Sequence, residues 1–274
     1  MHKHKFEAAG LTYRYVEAGS GPLVLLLHGF TGSKANWAPL MSALAGGYRL
    51  LAVDLPGHGE SEAPVDRARY EMASVAADLS ALLDHLELDN AHLLGYSMGG
   101  RLALYLALAE PARWRSLVLE SASPGLATEA ERAERREHDA ALADFIERQG
   151  VEAFVDRWER LPLFASQRSL PEAVRQKHRN GRLRNRPQGL AGSLRGMGAG
   201  TQPSLWDRLA ELALPSLLIV GELDEKFVAL AREMLRSMPQ ALLTVVPEAG
   251  HTVHLEQPGV FMALLQRWLV TVGR

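Results

Sequence analysis

Ser97 stands in Gly95-Tyr96-Ser97-Met98-Gly99, a serine with glycine two residues to either side. A strand that turns sharply into a helix needs that spacing. Side chains at both flanking positions would collide with neighbouring backbone, while the serine hydroxyl is left standing at the edge of the sheet. A serine hydroxyl is a weak nucleophile and a weak base until a histidine takes its proton, and the histidine needs an acid to orient it. His251, in Glu248-Ala249-Gly250-His251, and Asp224, in Gly221-Glu222-Leu223-Asp224, supply those types in the order Ser, Asp, His. Glu222 and Glu225 are rivals for the acid, and the loop position favours Asp224. Negative charge developing on a substrate oxygen would need two backbone N–H donors. One is expected from Met98, directly after the serine, and the other from Phe30 in His28-Gly29-Phe30.

These residues have to be brought together by secondary structure. Short apolar runs bounded by turn residues read as buried strands: Leu11–Glu17, Leu23–His28, Arg49–Asp54, Ala91–Gly95, Ser116–Ser121, Ser216–Gly221 and Leu242–Val246. A short strand near Phe6 should form a hairpin with Leu11–Glu17 around Gly10. Helical periodicity occupies Asp78–Leu86, Arg101–Ala109 and Phe261–Leu269. This alternation predicts a mostly parallel sheet of eight strands with helices on both faces, and such sheets place ligands beyond the carboxyl ends of their strands. Each candidate above follows directly on a predicted strand. The alternation stops between Gly125 and Arg208, a helical stretch that reads as a cap. The expected division is a core of residues 1–124 and 209–274 with a helical cap insertion at 125–208.

Composition removes several classes of function. The 274 residues carry 30 Lys plus Arg, 32 Asp plus Glu and no cysteine, so there is no basic footprint for nucleic acid and no disulfide or thiolate chemistry. The longest apolar run is Leu102–Ala109, too short for membrane insertion, and the N-terminus lacks the apolar stretch of a secretory signal. A cytoplasmic protein is the expectation. The cap has its own charge pattern: nine basic residues fall between Arg160 and Arg195 against the single acid Glu172. Such a roof suggests an anionic small molecule. Arg101, one helical turn past Ser97, sits where the helix dipole disfavours a cation by about 0.3–1 kcal/mol, so an acid or a bound carboxylate should compensate it.

The His28-Gly-Phe30 loop, the Asp54-Leu-Pro-Gly-His58-Gly turn, the Ser97 elbow and the Asp224/His251 pair together resemble the α/β-hydrolase superfamily over nearly the whole chain. That resemblance implies the α/β-hydrolase fold and a triad but not a reaction. The elbow through Arg101 further resembles the 2-succinyl-6-hydroxy-2,4-cyclohexadiene-1-carboxylate (SHCHC) synthase family of menaquinone biosynthesis. So do Arg135-Arg-Glu-His138-Asp139, Trp158, Leu161 through Ser166, Leu194 through Pro203, Gly221 through Phe227 and Ala249 through His254. The resemblance implies a lyase without a cofactor that removes a ring proton and expels pyruvate from a substrate bearing several carboxylates. It also implies that Arg101, Arg135 and Arg179 bind carboxylates, with Arg175 and Arg182 a small register shift from Arg179. Tyr96 and Trp158 would line the pocket. A carboxylesterase or C–C-bond hydrolase of the same fold is the alternative, and a non-catalytic small-molecule receptor a further one.

Other motifs carry less. Gly29 through Lys34 lacks the spacing of a phosphate loop, and Gly57-His-Gly59 has no third glycine. His251 and His254 have no ligating acid in register, so no metal site is expected. His138 and Asp139 read as packing residues, Trp37, Trp206 and Trp268 as core or interface, and His2 and His4 as part of a mobile terminus. Oligomeric state is not legible.

Overall fold

The computed structural model describes residues 1–273. Its strands are β1 (His2–Ala8), β2 (Leu11–Ala18), β3 (Leu23–Leu27), β4 (Arg49–Asp54), β5 (Ala91–Tyr96), β6 (Trp114–Glu120), β7 (Ser216–Gly221) and β8 (Ala241–Val246). They form one eight-stranded sheet in the order β1-β2-β4-β3-β5-β6-β7-β8. Only the β1–β2 and β2–β4 pairings are antiparallel; from β4 to β8 every pair is parallel. Parallel strands are buried on both faces, which explains why Leu23–Leu27 is apolar at every position and buried throughout.

Helices α1 (Ala38–Leu44), α2 (Met72–His85), α3 (Met98–Ala109), α7 (Glu225–Ser237), α8 (Val253–Glu256) and α9 (Pro258–Thr271) connect or follow these strands. The core lies in two layers. Leu25, Leu27, Leu93, Leu102 and Leu106 lie in one, and Val24, Leu26, Trp37, Phe261 and Leu265 lie in the other. Leu25 and Leu26 thus point to opposite faces, as the two-residue period of a strand requires. Trp268 belongs to the second layer, and Trp206 is packed at the edge of the first, where its indole donates to Gly125 O at 3.0 Å.

Between β6 and β7 the chain forms α4 (Glu129–Trp158), α5 (Glu172–Leu183) and α6 (Pro187–Met197), with 3-10 turns at Pro162–Ser169 and Trp206–Glu211. Thr128 and Glu131 close a capping box at the start of α4, and Gly150, at φ 80°, kinks it. Leu142, Ile146, Phe154 and Leu190 form a separate apolar cluster there. The segment is tied to the sheet side at several points. Asn185 donates to Thr31 O at 2.8 Å and accepts from Gly59 N at 3.1 Å. Gly57 and Gly189 approach so closely that a Cβ on Gly189 would lie 2.1 Å from Gly57 O.

The expectation of a mobile terminus at His2 and His4 is corrected. Both lie in β1, registered against Glu17 and Tyr15, and the His4 ring stacks on Tyr15 with centroids 5.0 Å apart. β1 is a polar edge strand, so its burial pattern offered little apolar signal.

Candidate active site

The β5–α3 turn explains its own sequence. A Cβ on Gly95 would lie 2.3 Å from Gly99 O, and one on Gly99 would lie 2.4 Å from Leu27 O, so neither position accepts a side chain. Between them Ser97 is held at φ 50°, ψ −109°, a conformation that L-residues avoid and that tends to be kept where function requires it. Its N–H donates to Glu120 O at 2.8 Å, which locks the elbow to the neighbouring strand.

His251 and Asp224 arrive from the ends of β8 and β7. His251 Nε2 lies 3.0 Å from Ser97 Oγ, and His251 Nδ1 lies 2.7 Å from Asp224 Oδ2. Both side chains are almost wholly buried. With Nδ1–H donating to the carboxylate, Nε2 presents its lone pair to the serine hydroxyl. The second Asp224 oxygen accepts from Phe227 N at 3.3 Å, so the acid also caps α7. The rival acids stay away: Glu222 and Glu225 are exposed, and Glu222 accepts from Glu248 N at 3.4 Å.

Phe30 and Met98 both line the cavity in front of Ser97, and among the described residues neither N–H donates to a protein acceptor. The loop carrying Phe30 is fixed by His28, whose Nδ1–H donates to Gly29 O at 2.8 Å and whose Nε2 accepts from Leu55 N at 3.0 Å. Burial pushes the His28 imidazole down to about 4, so it stays neutral and keeps that pattern.

The cavity measures about 940 Å³, and Ser97, His251, Tyr96, Arg101, Arg135 and Trp158 share its lining with Phe30 and Met98. Arg101 is its most unusual member. Its guanidinium donates to Gln202 Oε1 at 2.6 Å and to Met197 O at 2.9 Å, both neutral acceptors. Burial, with Arg135 nearby, pushes it down to about 10, while Asp139 acts in the opposite sense. Arg135 donates to Asp139 Oδ1 at 2.8 Å and is itself half-buried. Asp139 is therefore an electrostatic partner as well as a packed residue. Tyr96 hydrogen-bonds Thr252 Oγ1 at 2.7 Å, and burial raises its phenol far above the usual value. Trp158 packs against Phe30, Phe154 and Phe164, with its indole N–H buried and unpartnered among the described residues.

Arg179, expected to bind carboxylate, does not line this cavity. It donates to Asp156 Oδ1 at 2.6 Å and Glu159 Oε2 at 2.9 Å, and it faces a smaller cavity of about 150 Å³. Its neighbours in register are occupied as well. Arg182 pairs with Glu159 at 2.9 Å and lies over the Phe164 ring, and Arg175 pairs with Glu172. Asp156 and Glu159 precede the basic stretch in the chain but fold back onto it. Arg195 is likewise paired, with Asp144 and Glu147. The roof is therefore less positive than its sequence.

Sequence reasoning also passed over Glu120 and Glu256, two buried acids next to the triad residues, because isolated acids carry no motif. Among the described residues no cluster of three or more His, Asp or Glu is placed to hold a metal ion. No helix among them is long and apolar enough to cross a membrane.

Comparison with known proteins follows this geometry. The family described as alpha/beta hydrolase fold matches residues 22–258. A Bacillus subtilis (strain 168) protein, provisionally named 2-succinyl-6-hydroxy-2,4-cyclohexadiene-1-carboxylate synthase, is 49% identical over 263 residues, covering 94% of this chain and 96% of that one. The synthase of that name from Serratia proteamaculans (strain 568) is 35% identical over 253 residues, covering 92% and 94%. The solved structure of MenH from S. aureus is 36% identical and superposes with a TM-score of 0.91, covering 95% of this chain and 98% of that one.

Proposed function

The chain belongs to the α/β-hydrolase family and, within it, to the SHCHC synthases, and from that premise we propose that it is a carbon–oxygen lyase of menaquinone biosynthesis. Its reaction eliminates pyruvate from 2-succinyl-5-enolpyruvyl-6-hydroxy-3-cyclohexene-1-carboxylate to give SHCHC. The observation that carries this reading is Arg101: a partly buried guanidinium with only neutral hydrogen-bond partners, on the wall of the cavity that holds Ser97. A neutral ester has no use for it. A carboxylate would complete it with charge-assisted bonds.

In this reading Ser97 Oγ takes the ring proton next to a carbonyl as its own proton passes to His251 Nε2. Asp224 stabilises the imidazolium that forms. The electron pair moves onto the carbonyl oxygen, where the Phe30 and Met98 N–H groups receive the charge. Its return expels the enolpyruvyl oxygen, the proton comes back from His251, and the released enol becomes pyruvate. Arg101 and Arg135 hold carboxylates so that the C–H bond faces Ser97, and Tyr96 and Trp158 shape the pocket. Residues 125–208 serve as the cap over a core of 1–124 and 209–274. Work in the cytoplasm is part of this reading.

A coupled pyruvate assay on that substrate tests the proposal, with p-nitrophenyl esters as the contrast. Pyruvate release with little ester turnover is expected. Fast ester cleavage without pyruvate would instead make the protein a hydrolase. Ser97→Ala should lower kcat by about 10³-fold or more while substrate still binds.

A further inference from the structure

We propose that Glu256 is a positioning residue for His251, and that Glu120 ties the helix bearing Glu256 to the sheet. This rests on the reading of His251 as the proton carrier. His251 lies in the loop between β8 and α8, outside any strand or helix. The bond to Asp224 fixes how its ring is turned. It does not fix where the backbone carries the ring, and a displacement of about 1 Å is enough to lower a rate about 100-fold.

One side chain grips the backbone on both sides of His251. Gly250 N donates to Glu256 Oε2 at 2.7 Å and Thr252 N donates to Glu256 Oε1 at 3.0 Å. The amides immediately before and after His251 thus close on the two oxygens of a single buried carboxylate. Glu256 is buried, and among the described residues these two amides are its hydrogen-bond partners. A carboxylate suits this place because it accepts two N–H bonds and offers no hydrogen in return. A carboxamide would turn its own N–H groups toward one of the amides.

α8 is held in turn. His254 N and Nδ1 each lie 2.9 Å from Glu120 Oε1, and Nδ1 lies 2.8 Å from Oε2. Glu120 is fully buried and ends β6, and its carbonyl accepts the Ser97 N–H. One residue therefore touches the backbone of Ser97 and the helix that clamps His251. The Thr252 hydroxyl, bonded to Tyr96, adds a second link to the elbow.

The test is Glu256→Gln, read by proton NMR and by kinetics. The wild-type Nδ1 proton of His251, shared with Asp224, should give a far-downfield resonance that His251→Ala removes. In Glu256→Gln that resonance should broaden or vanish in a protein that still unfolds cooperatively. Its kcat should fall about 10- to 100-fold with KM within about twofold. Glu256→Asp, which keeps the carboxyl group but is one methylene too short to reach both amides, should show the same loss. It serves if the Gln variant does not fold. An unchanged resonance and kcat in a folded variant overturn the proposal, and so does loss of stability alone. The NMR readout needs no substrate. A wild-type protein that released no pyruvate would therefore refute the proposed function and leave this inference to be judged by its resonance.

Discussion

Lys34 is a buried cation and Arg101 a partly buried one, and the structure treats them in opposite ways. Lys34 Nζ lies 2.5 Å from Asp54 Oδ2 and 2.6 Å from Glu60 Oε2. Asp54 also accepts the backbone N–H groups of Lys34 and Glu60, at 2.7 and 2.8 Å. The charge there is closed within the protein, and hydrogen bonds from Lys34 and Lys3 hold the Glu60 carboxyl down at about 2. Arg101 has a side-chain amide and a carbonyl instead, with its acid, Asp139, hydrogen-bonded to Arg135. A buried cation serving the fold is fully compensated. A partly buried cation left with neutral partners on a cavity wall is poised for an external anion, since a charge withdrawn from water without a counter-charge is costly to keep.

The largest effect should come from breaking the closed pair. Lys34→Met leaves the Asp54 carboxylate buried with only backbone donors, and loss of one partner of a buried ion pair costs about 3–5 kcal/mol. Urea unfolding should show that loss, while the folded fraction keeps KM near wild type. Unchanged stability would erase the distinction between the two sites. Arg101→Ala should do the reverse. A truncated charged contact to a buried carboxylate costs about 2–5 kcal/mol in kcat/KM, while stability holds or rises because an uncompensated charge has gone. Steady-state pyruvate release and a thermal melt on the same sample read both. Normal kcat/KM would remove Arg101 from the site.

Acid sharpens the contrast further. Burial pushes His28 down to about 4 and His58 down to about 3, so in the unfolded chain both bind protons at higher pH than in the fold. Stability is therefore fully present above about pH 6.5 and declines as pH falls toward 4, where the unfolded state holds more protons. Glu60 works in another window: its depressed carboxyl contributes above its unfolded value near 4.5 and loses that contribution as pH falls through about 2. The urea midpoint should thus begin to fall in mild acid, well before the Lys34 cluster titrates. A midpoint flat from pH 7 to 4.5 would contradict the neutral, buried state of the two histidines.

The sheet was legible because its strands announce themselves: Arg49–Asp54 and Ser216–Gly221 are apolar runs closed by turn residues, and the structure has those bounds. β1 was reduced to a strand near Phe6 because His2, Lys3, His4 and Lys5 carry no apolar alternation on an exposed edge. Ser97 and His251 stand 154 residues apart yet were paired from motif order, since an elbow glycine pattern reports a local backbone need. Glu256 and Glu120 were illegible for the opposite reason. Their roles depend on which amides fold around them, and a lone acid in the sequence gives no sign of that.

The smallest effect should come from Arg179, and it separates charge in the sequence from charge in the site. Arg179 lies 23 residues from Asp156 and 20 from Glu159, so the window that made the cap look basic excluded the acids that neutralise it. Hydrogen bonds to both acids raise its guanidinium above the usual value, the opposite of what burial does at Arg101. Partly exposed pairs of this kind contribute about 0–1 kcal/mol. Arg179→Ala should therefore leave KM and kcat within about twofold and shift the melting temperature by a degree or two at most. A tenfold rise in KM would mean that Arg179 leaves Asp156 and Glu159 when substrate arrives. Arginines paired within the cap would then have to be counted with Arg101, and internal compensation would no longer distinguish a structural cation from a binding one.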